Sequence, residues 1–231
     1  MIKYFEGTVF NVKCEAMVNT INCVGVMGAG IALEFALRYP NMYNDYIQRC
    51  KGKEVNVGRV YAYKEKDTMI INFPTKWHFK YPSPLSWIEQ GLKDFANKYK
   101  EYNIKSVAFP KLGTLNGGLD WDKVRRIMEK YLQNLDIDVY ICLDILQEAE
   151  GLEKQMLDYF NKNYNDVIKA VKKINSVQTQ NIQERVPLKR FWQLSKIPKI
   201  GQTTYEKIYL YCKDAVENGA MNQISLFDNI D

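Results

Sequence analysis

Short apolar, β-branched runs alternate with longer stretches of helical periodicity from the N-terminus to about residue 155. That alternation restricts the chain to a layered α/β domain with a largely buried sheet. Residues 1–5, 16–21, 59–63, 69–73, 106–109 and 138–143 read as strands, the last three as compact buried segments. Helices are expected over 31–39 after a run of glycines, over 85–99 after a Ser-Pro pair, and over 120–132, which opens on an acid suited to a helix N-terminus. With 231 residues and 46% apolar content, the chain has enough for one ordinary domain and a small appendage.

Beyond residue 155 the character changes. A lysine-rich helical connector is expected over 156–186, in which residues 175–185 have the composition of a linker or exposed loop. A second small helical region follows over 187–218, then a flexible tail over 219–231. No internal repeat is visible, so the tail region is an addition and not a duplicate.

Composition narrows the function classes. The net charge of +5 is spread among nearly as many acids, which is compatible with a phosphate-bearing ligand and argues no further. Cys14, Cys23, Cys50, Cys142 and Cys212 lie far apart without CxxC spacing, which suggests neither a zinc site nor a disulfide scaffold and fits a reducing compartment. A single histidine, His78, gives metal-histidine and Ser-His-Asp schemes little support. No stretch reads as a leader or a membrane span, so a cytoplasmic protein without membrane association is expected.

The strongest local signal is NTINCVGVMGAGIA at residues 19–32, a strand running through a glycine-rich turn into a helix. Glycines let successive backbone N–H groups converge on an anion, and the helix N-terminus adds partial positive charge. A tight strand-to-helix turn with no ligand explains the same residues, and the pattern is neither a Rossmann fingerprint nor a Walker loop. A second segment, FPKLGTLNGGLDW at residues 109–121, again joins a buried strand to a helix. Two such loops at strand C-termini can flank one crevice and suit a ligand with two linked phosphates.

In order, NTIN, VGVMGAGIA, NFPTK and PKLGTLNGGLDW resemble the macrodomains of DarG-type antitoxins over residues 1 to about 150, and more distantly the terminal ADP-ribose glycohydrolase of animals. The resemblance implies a three-layer α/β/α fold with a mixed central sheet. It also implies an enzyme that hydrolyses the bond between ADP-ribose and thymine in DNA, reversing the toxin partner, a DarT-type DNA ADP-ribosyltransferase. No resident cofactor is implied; ADP-ribose is part of substrate and product. An ADP-ribose reader without turnover, or a hydrolase of protein-linked or acetylated ADP-ribose, would use the same loops.

Carried over by motif, Lys76 is the catalytic lysine of this branch. Its place beside Phe73, Pro74 and Trp77 suits a partly desolvated amine that can act as a nucleophile. Asn19 and Asn22 would lie near the distal ribose. Met27, Gly28, Ala29, Gly30, Ile31 and Ala32 would wrap the diphosphate together with Leu112, Gly113, Thr114, Leu115, Asn116, Gly117, Gly118 and Leu119, and Thr75 and Trp77 would flank the lysine. The animal relative carries an aspartate in the second loop where this chain has Gly117, which favours a lysine-only mechanism; Asp120 is a candidate assistant, with helix capping as its competing role. Thr114 and Leu115 replace the cysteine and glycine that usually follow Gly113. Many macrodomains hold adenine with a glycine-aspartate pair; Gly7-Thr8 stands here, leaving Thr8, Val9 and Leu143 as the adenine side.

Two features of the tail point to DNA. LSKIPKIGQTTYEKI at residues 194–208 resembles a helix-hairpin-helix, with Lys199 where the first hairpin glycine is usual; an ordinary helical hairpin is the competing reading. Lys196, Lys199, Gly201 and Lys207 would meet phosphates. Gln223, Leu226 and Phe227 fall in a QISLF segment that resembles the peptides by which bacterial repair proteins dock to the sliding clamp; packing on its own domain is the alternative.

Overall fold

The computed structural model describes the backbone of residues 1–227 and side chains through residue 219. Two compact units result, Met1–Ile145 and Leu146–Asp231. The division falls ten residues before the boundary expected at 155, because the helix that opens at Gly151 packs on later elements.

In the first unit, strands β1 (Ile2–Phe5), β2 (Ala16–Ile21), β3 (Tyr61–Glu65), β4 (Thr68–Pro74), β5 (Ser106–Pro110) and β6 (Asp138–Cys142) form one sheet in the order β1-β6-β5-β2-β4-β3. All neighbours are parallel except the β3/β4 hairpin. The sheet is mixed, as expected. Side chains alternate between its faces. Ala16, Val18, Ile71, Phe73, Val107 and Phe109 pack against helices α3 (Leu85–Lys98) and α4 (Trp121–Leu132). Met17, Ile21 and Ile70 pack on the other face against Phe35, Met42 and Tyr46 of α1 (Gly30–Arg38) and α2 (Pro40–Lys51). The result is the three-layer α/β/α domain that the alternation and the resemblance implied.

Helix α2 was not foreseen. Pro40 occupies its first turn, where no N–H is needed, and the first-turn backbone donor of Met42 is met from outside by the buried Glu65 carboxylate at 2.9 Å. The β3 boundary also shifts, from the expected 59–63 to Tyr61–Glu65, which places Glu65 where it can accept that bond.

The second unit comprises α5 (Gly151–Ala170), α6 (Ser176–Gln183) and α7 (Gln202–Phe227), with a 3-10 turn at Phe191–Lys196 before α7. The linker expected over 175–185 is instead α6. Asn175 accepts from the backbone of Gln178 at 2.9 Å while the Gln178 side chain accepts from the Asn175 backbone at 3.0 Å, a reciprocal cap that starts the helix without apolar periodicity. Helix α7 continues past residue 219, where a flexible tail was expected to begin. The clamp-like residues Gln223, Leu226 and Phe227 lie outside the residues whose side chains are described. Among the described residues no helix is long and apolar enough to cross a membrane.

Candidate active site

Three adjacent parallel strands, β5-β2-β4, end at one edge of the sheet, and each sends out one of the singled-out segments. The 22–30 loop follows β2, the lysine segment follows β4, and the 111–120 loop follows β5. Such an edge is where open α/β sheets bind ligands. The β2/β4 ladder continues past the strands: Thr75 N–H donates to Ile21 at 2.9 Å and Cys23 N–H to Trp77 at 3.0 Å. Lys76 is therefore held on backbone laid along the root of the first glycine loop.

Asn22 organises that loop. Its Oδ1 accepts from Val24 N–H at 2.9 Å and from the Tyr46 hydroxyl at 2.9 Å, and its Nδ2 donates to the Val26 carbonyl. Met27 is buried beneath the loop, while Gly28, Ala29, Gly30, Ile31 and Ala32 lead into the first turn of α1. Ala29, the N-cap, has no side-chain acceptor to offer, so the first N–H groups of α1 receive no cap from it. Gly30 sits at φ +56°, and a Cβ there would lie 3.1 Å from Asn116 Nδ2. The two glycine loops thus meet.

The second loop folds onto itself and onto the lysine segment. Leu119 N–H donates to Gly113 at 3.0 Å, Gly118 N–H to Leu115 at 3.2 Å, and Ser83 N–H to Gly117 at 2.9 Å. Thr114 turns its hydroxyl back to the Lys111 carbonyl at 3.1 Å, Leu112 is buried, and Leu115 stands exposed. A Cβ on Gly117 would fall 2.1 Å from the Gly113 carbonyl oxygen. No side chain fits there, an aspartate included.

Lys76 Nζ donates to the main-chain carbonyl of Asn116. Partial burial lowers the pKa of its amine below the ordinary lysine value, and no acid is among the causes. Asp120 caps α4, accepting from Lys123 N–H at 3.1 Å, the structural role that competed with catalytic assistance. His78 accepts from Lys80 N–H at 3.2 Å and stacks on Phe79.

Other expected site residues have partners within the protein. Asn19 is fully enclosed and its Nδ2 donates to Asn72 Oδ1 on β4 at 2.9 Å, which ties the two strands together, while its Oδ1 has no hydrogen-bond partner. Asn22 spends its amide on the loop. Val9 is fully buried, its side chain packed in the core cluster on the α1/α2 face. Thr8 bonds Asn11 Oδ1 at 2.6 Å, and Leu143 N–H pairs with Phe5 at 2.8 Å at the same sheet edge. Sequence reasoning missed Tyr46, Asn72 and Ser83. Their roles depend on strand neighbours and on the unforeseen α2, which no local pattern announces.

In the second unit Lys196, Lys199, Gly201 and Lys207 are exposed. Lys199 adopts φ +67°, the left-handed conformation for which a hairpin glycine is usual. The turn is braced by α6: Asn181 Nδ2 donates to Pro198 at 2.9 Å and Gln178 Nε2 to Lys199 at 2.8 Å.

A family model described as "Macro domain" matches residues 18–128. The DNA ADP-ribosyl glycohydrolase of Mycobacterium tuberculosis is 46% identical over 146 residues, which cover 61% of this chain and 42% of that protein. The solved macrodomain of Mycobacterium tuberculosis DarG, also 46% identical, superposes with a TM-score of 0.60 over 62% of this chain and 97% of that one. Thermosipho africanus DarTG, solved in complex with ADP-ribose, is 33% identical with a TM-score of 0.61, over 66% of this chain and 44% of that chain. The chain thus spans about two-fifths of the length of the DNA ADP-ribosyl glycohydrolases it matches.

Proposed function

The chain belongs to the macrodomain family, and from that premise we propose that it removes ADP-ribose from thymidine bases of DNA, reversing a DarT-type transferase, with Lys76 as the catalytic residue. The observation that carries this reading is the amine of Lys76 lying where the two glycine loops meet, bonded to Asn116 and eased toward its neutral form by burial.

The uncapped N–H groups of α1 and the backbone of the 113–118 loop suit the two phosphates, and the distal ribose then falls beside Lys76. In its neutral form Nζ supplies the electron pair that forms a bond to the anomeric carbon. The carbon–nitrogen bond to thymine breaks, its electrons leave with the base, and the base takes up a proton. Water then hydrolyses the lysine adduct and frees ADP-ribose. Gly117 leaves no room for a second carboxylate, and Asp120 is engaged in capping; the chemistry therefore falls to the lysine. Asn22 acts by shaping the phosphate loop.

Lys196, Lys199, Gly201 and Lys207 would add nonspecific phosphate contacts, and residues 223–227 would dock to a sliding clamp. Loss of clamp co-purification on deleting 223–231 supports that second role, and unchanged co-purification removes it.

The deciding experiment incubates the chain with a thymidine-ADP-ribosylated single-stranded oligonucleotide. The native chain should release ADP-ribose and Lys76→Ala should not. Equal release by both overturns the lysine mechanism, whereas tight ADP-ribose binding without release makes the domain a reader.

A further inference from the structure

We infer that the segment immediately after Lys76 is a stacking platform for unpaired bases flanking the modified one, so that single-stranded DNA is the preferred form of the substrate. The inference rests on the reading that a DNA base carries the ADP-ribose, and deepens it.

Residues 76–81 read Lys-Trp-His-Phe-Lys-Tyr, an interleaving of cations and aromatic rings. Trp77, Phe79 and Tyr81 are 54%, 44% and 65% exposed, in a unit that fully buries Phe35, Phe73, Phe95 and Phe109. These three rings are not spent on the core. Nor are the last two loose: His78 and Phe79 stack with centroids 4.3 Å apart, and Tyr81 approaches His78 at 5.6 Å. A turn closed by Tyr81 N–H on the His78 carbonyl at 3.2 Å holds them. The segment is pinned at both ends, by Cys23 on Trp77 and by Ser83 on Gly117, so its backbone is tied to both glycine loops directly after Lys76.

Charge selects the occupant. No acid occurs between Asp67 and Glu89, while Lys76 and Lys80 lie within the segment and Lys80 Nζ sits 6.0 Å from the Phe79 ring. Exposed rings with cations between them match bases with phosphates between them. A base inside a duplex has both faces covered by its neighbours and offers none to an aromatic side chain, so the platform discriminates in favour of single strands.

The test uses the full chain with Phe79→Ala, Tyr81→Ala and Tyr81→Phe. Anisotropy of a labelled, unmodified oligothymidine measures the platform without any turnover. Turnover is then compared on an ADP-ribosylated oligonucleotide and on ADP-ribosylated thymidine nucleoside. Each alanine should weaken oligothymidine binding about tenfold and raise KM for the modified oligonucleotide in step. Turnover of the nucleoside should hold, Tyr81→Phe should recover the native values, and duplex binding should not respond. Unchanged oligothymidine affinity in both alanine variants overturns the platform, as does an equal loss on the nucleoside. If the native chain hydrolyses neither substrate, the hydrolase reading falls, and the anisotropy still decides the platform.

Discussion

The Lys76 ammonium is hydrogen-bonded to the main-chain carbonyl of Asn116, a residue forty positions further on. Their strands, β4 and β5, are not neighbours; both flank β2. The bond therefore passes over the C-terminal end of β2, the point from which the first glycine loop departs. Asn116 is also the residue that a Cβ at Gly30 would meet. One loop residue thus fixes the amine and closes on the first glycine loop.

A lysine that attacks as the free amine makes activity rise with pH. Burial disfavours the charged form and lowers the pKa of Lys76 below its usual 10.5. Below that pKa the neutral fraction grows tenfold per pH unit, so kcat/KM should climb with unit slope and level off before the ordinary lysine range. Lys76→Arg, which stays protonated, should lose activity by about a hundredfold or more across the range. Rates that fall with rising pH would instead assign the ammonium the role of proton donor.

Gly117 is a backbone requirement. Because its Cβ would stand 2.1 Å from the Gly113 carbonyl, Gly117→Ala and Gly117→Asp should both displace the loop, and a shift of about 1 Å costs on the order of a hundredfold in kcat/KM. Titration calorimetry should show weakened ADP-ribose binding for both. A Gly117→Asp variant more active than Gly117→Ala would mean that the loop can rearrange and accept a carboxylate.

Tyr46 supports the first glycine loop from α2. Its hydroxyl donates to Asn22 Oδ1 at 2.9 Å and lies 3.0 Å from the Asn22 carbonyl, and burial raises its pKa well above the phenolic range, so it remains a donor. Tyr46→Phe should cost about 1–2 kcal/mol by denaturant unfolding and weaken ADP-ribose binding. Stability lost with affinity intact would separate Asn22 from the ligand loop.

How far the sequence reveals this arrangement depends on the range of the interactions. Strand β2 was read at its observed ends, 16–21, because the apolar run Ala16-Met17-Val18 and then Ile21 stand between polar Glu15 and Asn22. The capping of α4 by Asp120 was legible, since donor and acceptor lie three residues apart. The cap of α6 was equally local, at Asn175 and Gln178, yet a polar composition concealed it. Register across strands has no local signature. The Asn19 to Asn72 pair spans 53 positions, so nothing near Asn19 in the sequence announces that partner. Helix α2 stayed hidden for the same reason, its N-terminal acceptor being Glu65 from a hairpin.

Lys199 separates backbone strain from charge in the second unit. It is exposed, at φ +67°, and its carbonyl is held by Gln178. Glycine there relieves about 1–2 kcal/mol of left-handed strain, against about 0.4–1 kcal/mol for the looser unfolded chain. Lys199→Gly should therefore fold at least as stably as the native chain. Lys199→Gln keeps the strain and should not gain stability. If this turn meets DNA phosphate, both variants lose one cation and should flatten the salt dependence of oligonucleotide affinity by about one ion. A slope unchanged in both, with the expected difference in melting between them, would remove Lys199 from the DNA contacts while keeping the account of its backbone.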